Sequence, residues 1–145
     1  MADERPALLL DDRLLIEELL VGLDRPGELH TTAYWYYRAC RAAVVGAGGQ
    51  LSGPFTDLGD AHQRAAISSL LVLRDDIGLP DPRSTVPRMA ELAERHPRLN
   101  LLNLEAAASA LVLGATVLLS TQASEGVLPR VLDAERIPWQ TAELS

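Results

Sequence analysis

The chain's strongest constraint is a short apolar run broken at once by two acids, Ala7-Leu8-Leu9-Leu10-Asp11-Asp12. Four consecutive apolar residues suit a strand buried on both faces, as in a parallel sheet with helices on either side. The stretch from Arg13 to Leu23 then reads as a helix, and a second buried strand, Thr116–Ser120, returns near the end. In open α/β sheets the carboxyl ends of parallel strands are where ligands gather. The site search therefore starts at Asp11 and asks which other side chains meet it.

Between these strands the pattern alternates. Leu29-His30-Thr31 reads as a short strand, and Thr31 or Thr32 can cap a helix running from Ala33 to Val45. Gly46 to Gly49 stops that helix, Gln50–Phe55 forms a loop, and a longer helix runs from about Thr56 or Asp57 to Asp76. Gly78 to Pro82 ends it, Ser84 or Thr85 caps a helix over Val86–Arg95, and Leu101–Leu113 forms an Ala- and Leu-rich helix closed by Gly114. Gly126–Glu135 reads as a further helix and Ile137–Gln140 as an edge strand, where Pro138 is tolerated. This rhythm predicts a three-layer α/β/α sandwich with a small central parallel sheet, one domain over residues 1–145.

Composition narrows the function classes. The net charge of −7 opposes non-specific binding to nucleic acid, which needs a positive surface. All 13 basic residues are Arg, which suits a GC-rich coding bias. No apolar run approaches the ~18 residues of a membrane span. Residues 1–6 lack the pattern of a signal peptide, and the lone Cys40 suits a reducing compartment. These features point to a cytoplasmic protein with no membrane partner.

Two stretches resemble the PIN-domain family of metal-dependent ribonucleases, best known as toxins of bacterial toxin–antitoxin pairs. One is Leu8 to Leu15, similar to the family's opening strand and first acid. The other is Leu101 to Thr121, similar to its late helix, Gly-Ala turn and following strand. The resemblance implies three or four carboxylates holding Mg²⁺ or Mn²⁺, which would activate water and stabilise charge during attack on a phosphodiester. Asp11 matches the first acid. The second acid falls where this chain reads Tyr36-Tyr37-Arg38, the third at Asn103, and the fourth near Thr121-Gln122. Glu105, two residues past Asn103, is turned roughly 200° around the helix from it.

Asp11 and Asp12 therefore carry two readings: metal ligands, or an N-cap and first-turn acid of the helix behind them. A residual metal site would join them to Glu105 or Glu125, or to Asp57 or Asp60. Arg38 stands where the family's second acid would be, so an Asp11–Arg38 ion pair is expected in place of the metal. Tyr34-Trp35-Tyr36-Tyr37 holds four of the six aromatics and cannot bury all of them on one helix face. Tyr34, Trp35 and Tyr37, with Arg38, are expected at a contact with a second copy or a protein partner. Base stacking on RNA is the lesser alternative. His30, His62 and His96 have no metal-ligand spacing, and Gly46 to Gly49 lacks the Lys-Ser/Thr of a phosphate loop. The sequence thus predicts a PIN-like interaction or regulatory protein with a degenerate metal site, no cofactor and no nuclease activity. The alternative is a toxin-type endoribonuclease using Mg²⁺ or Mn²⁺, with Asp11, Asp12 and Glu105 as its acids.

Overall fold

The computed structural model describes residues 5–45 and 60–143. The expected helix stop at Gly46 to Gly49, the loop after it and the helix start at Thr56 or Asp57 lie outside them. In chain order the elements are β1 (Ala7–Leu10), α1 (Asp12–Leu20), β2 (Glu28–Thr31), α2 (Ala33–Val45), α3 (Asp60–Leu71) and α4 (Pro82–Arg95). There follow α5 (Leu101–Leu113), β3 (Thr116–Leu119), α6 (Thr121–Ser124), α7 (Leu128–Ala134) and β4 (Trp139–Thr141). Among the described residues four strands form one sheet of order β2-β1-β3-β4, every pair parallel. The α/β architecture with a small parallel sheet is the one the apolar runs implied.

Strand alternation divides the core. Leu9, Val117 and Leu119 face one side, where α5 and α7 bring Ala106, Ala107, Ala110, Leu128 and Leu132 against them. Leu8, Leu10 and Leu118 face the other, packed on Leu14 of α1. A third cluster joins α1, α2 and α3 through Leu15, Ile16, Ala39, Ala43 and Leu70. A side chain of Leu size contributes about 1.5–3 kcal/mol when fully buried. Leu9, Leu14, Leu15, Leu119 and Leu132 have no exposed surface, so these three seams hold the layers together.

Several boundaries differ from expectation. α1 stops at Leu20, three residues short of Leu23, because Gly22 turns to φ 93° and its N–H bonds the Glu17 carbonyl. α3 ends at Leu71, before Asp76, and Arg74 folds back on Asp76 with bonds of 2.9 and 3.0 Å. α4 begins at Pro82 and not at Val86: Asp81 caps it by accepting from the Arg83 N–H, and Pro82 opens the first turn, where no N–H is needed. The expected helix from Gly126 is α7, which starts at Leu128, and the short α6 before it forms from residues that carried no helical expectation. Ser120, expected as the last residue of the strand, is the N-cap of α6.

A charged clasp ties the end of α4 to the end of α7. Arg95 donates to both oxygens of Glu135 at 3.0 and 2.9 Å, and His96 Nε2 lies 2.8 Å from Glu135 Oε2. Arg95, and then His96, hold the Glu135 carboxyl down to about 2. A folded-state value below the unfolded one adds stability that is present above the ordinary Glu range and lost as pH falls toward 2. The Arg95 side chain is half exposed, so solvent screens part of the effect. Glu135→Gln is expected to lower the unfolding free energy by about 1–2 kcal/mol at neutral pH and by little near pH 2. Urea midpoints measured across that range check it; a deficit independent of pH would contradict the clasp.

Candidate functional site

Parallel pairing of β1 with β3 sets Leu10 beside Leu118, so the residues that follow the two strands meet at one sheet edge. Asp11 has no exposed surface there. One carboxylate oxygen accepts from the Leu14 N–H at 2.9 Å and caps α1. The other accepts from the Ser120 N–H at 2.9 Å and the Ser120 hydroxyl at 2.7 Å. Asp11's own N–H bonds the Leu118 carbonyl at 3.3 Å. Burial pushes the carboxyl above the ordinary Asp range; the three donated bonds pull it back in part, and the neighbouring charge of Asp12 adds to the rise. Both oxygens are thus occupied by protein donors.

A cavity of about 300 Å³ opens at this edge, lined among others by Asp12, Arg13, Trp35, Arg38, Asn103, Ser120 and Gln122. Asp11 is not in its wall; Ser120 is. Asp12 is the one carboxylate lining it, and that group is engaged twice. Its Oδ1 accepts from the Arg13 N–H at 3.0 Å and its Oδ2 lies 3.2 Å from Arg38 Nε. The expected Asp11–Arg38 pair is therefore corrected by one residue. Asp11 turns inward to cap α1 and hold Ser120, and Asp12, on the first turn, meets the guanidinium.

The other acids considered for a residual site do not reach the cavity. Glu105 Oε1 accepts from the Tyr34 N–H at 2.9 Å, capping α2 from the side of α5 opposite Asn103. Glu125 is exposed and outside the lining. The side chains of Asp57, Asp60 and His62 lie outside the described residues. Among the described residues no group of three or more His, Cys, Asp or Glu could hold a metal ion. A divalent ion of the Mg²⁺ or Mn²⁺ kind needs several oxygen ligands converging on one point. One engaged carboxylate beside two guanidinium groups does not fit that need, so no chemical step is derived through a metal.

The aromatic run splits by helical direction. Trp35, expected with its neighbours at a contact surface, is 3% exposed and packs in the main core, its backbone N–H donating to the Thr32 hydroxyl that caps α2. Tyr36 donates its hydroxyl to the Leu70 carbonyl at 3.0 Å. Tyr34 and Tyr37 stay exposed at 42% and 56%, edge to face with ring centres 6.2 Å apart. They line a second, mainly apolar groove of about 480 Å³ with Val86, Met89 and Leu101. The part that α4 plays in this groove was missed in the sequence. The apolar Val86, one turn into α4, and Leu101, the first residue of α5, both exposed, were the available signal.

No protein-family model matches the chain, and no curated protein does. Among solved structures it is similar to VapBC-1 from nontypeable Haemophilus influenzae, at 17% identity and a TM-score of 0.52, over 93% of this chain and 97% of that one. At that identity the likeness speaks to the fold: the order and layering of helices around a small parallel sheet are shared with a VapBC-1 chain.

Proposed function

We propose that this chain is a PIN-domain-like protein whose metal site is degenerate, acting through protein contacts and not as a nuclease. The fold likeness to VapBC-1 and the resemblance of Leu8–Leu15 and Leu101–Thr121 to the PIN-domain family support the first half. The observation that carries the second half is Asp11: the family's first acid is here a buried group whose two oxygens accept three hydrogen bonds from Leu14 and Ser120. Arg38, where the resemblance implies a Glu, pairs with the one acid that faces the cavity. For the interaction role, Tyr34 and Tyr37 offer rigid aromatic surface beside Val86 and Leu101, the residue types from which contact centres are built. The partner is a second copy or another protein.

The alternative is a toxin-type, metal-dependent endoribonuclease, favoured by the fold likeness alone. The two readings separate on metal. A cation present at a hundred times its dissociation constant would add roughly 2.7 kcal/mol to stability, which raises Tm by several degrees in a domain of this size. Thermal melting is expected to give the same Tm with and without millimolar Mn²⁺ or Mg²⁺. A rise of several degrees, abolished by Asp12→Asn, would replace this reading with the nuclease.

A further inference from the structure

The cavity that takes the place of a cation site has the chemistry of an anion site. Of the charged side chains lining it, two are guanidinium groups, Arg13 and Arg38, and one is a carboxylate, Asp12. Asp12 is already engaged by Arg38 and by the Arg13 N–H, whereas the Arg13 guanidinium has no ion-pair partner among the described residues. The closest approach of Arg38 to Asp12 runs through Nε, at one side of its fork. Asp11, the other acid nearby, has its charge turned into the protein by three hydrogen bonds. Asn103 and Gln122 complete the polar wall with amides that both donate and accept, and Ser120, whose hydroxyl proton goes to Asp11, adds an acceptor.

We infer that this cavity binds a small phosphomonoester, with the phosphate held by Arg13 and Arg38 and the body of the molecule against Asn103, Gln122 and Ser120. The guanidinium fork matches phosphate oxygens two at a time and keeps its charge at every physiological pH. A volume of about 300 Å³ admits a phosphorylated sugar and sets the upper size of the ligand near there. The polar wall groups suit sugar hydroxyls. The inference rests on the degenerate-site reading, because a divalent ion bound beside Asp12 would occupy the same space.

Ribose 5-phosphate is the probe, titrated calorimetrically into the full chain at constant ionic strength, with ribose and inorganic phosphate as separate arms. Saturable binding of ribose 5-phosphate is expected, with no binding of ribose and weaker binding of phosphate. Arg13→Gln is expected to weaken binding by about tenfold or more, the loss of one charge-assisted contact, with Tm unchanged because Arg13 is exposed. Arg38→Lys keeps the charge and loses the fork, so it should weaken binding while leaving an attraction to Asp12. Absence of saturable binding, binding of ribose as tight as that of its phosphate, phosphate bound as tightly as ribose 5-phosphate, or unchanged affinity in Arg13→Gln would each overturn the inference. A parallel Mn²⁺ titration separates the failures. Manganese binding lost in Asp12→Asn sinks the degenerate-site reading as well, whereas silence from both manganese and ribose 5-phosphate sinks only this one.

Discussion

Asp11→Ala is expected to lower the unfolding free energy by about 2–4 kcal/mol, the largest effect of any single polar substitution in the chain. About 1 kcal/mol comes from the lost N-cap of α1. The rest comes from the Ser120 N–H and hydroxyl, buried donors left without their acceptor. Urea unfolding at neutral pH gives the value directly from the shift in midpoint at constant m. Asp11→Asn should fall between wild type and Ala, since its amide retains one oxygen for either Leu14 or Ser120 but not for both. Ser120→Ala should also destabilise, and the double variant should cost less than the two single losses added, because both remove the same contact. The sign discriminates between the functional readings. An acid held for metal binding sits among like charges, and its removal leaves stability unchanged or improves it. A neutral or stabilising Asp11→Ala would return Asp11 to the role of a metal ligand.

Gly78→Ala is expected to lose about 1–3 kcal/mol, the range for crowding a packed site. Gly78 lies against β2: its N–H bonds the Leu29 carbonyl at 2.9 Å and its carbonyl accepts from the Thr31 N–H at 3.0 Å, a one-residue parallel bridge at the sheet's edge. A methyl group there would run into the His30 imidazole, reaching Cε1 at 2.8 Å and Nδ1 closer still. The ring has little room to withdraw, being only 17% exposed with Nε2 buried. His30→Ala in the Gly78→Ala background should recover most of the loss, which denaturant melts of the four proteins in the cycle would measure. If the double variant were no better than Gly78→Ala alone, the crowding would lie elsewhere.

What could be read from the sequence follows from how local each signal is. β1, β3, α5 and its Gly114 terminus were legible because each rests on contiguous residues: an apolar run for the strands, an Ala-Leu stretch and a left-handed glycine at φ 63° for the helix. The start of α4 was hidden because Pro80-Asp81-Pro82 reads as a breaker, while Asp81 and Pro82 are also what a helix start requires. The end of α1 was overrun because Val21 and Leu23 prolong the apolar pattern past the point where Gly22 turns the chain. At the site, Asp11 and its capping role were visible, whereas Ser120, 109 residues later, was not. Only the β1–β3 pairing brings it there, though the first polar residue after each of two neighbouring parallel strands is where such a contact could have been sought. Arg38 was placed near the right acid but assigned to the wrong one, because spacing along the chain does not reveal which of two adjacent carboxylates turns inward.

The pairing of β1 with β3 also shapes how the chain can be made. Emerging from the ribosome, β1 meets β2 within about twenty residues, so one flank of the strand and the α1 cap can settle early. Its other flank waits for Thr116–Leu119, which arrives only after α1 to α5 have been synthesised. Contacts so distant in sequence form late and slowly, and an unpaired apolar strand is a place where nascent chains stick to one another. Closure of Ser120 onto Asp11 then seals the β1–β3 seam, and it joins β1 to a residue made 109 positions later.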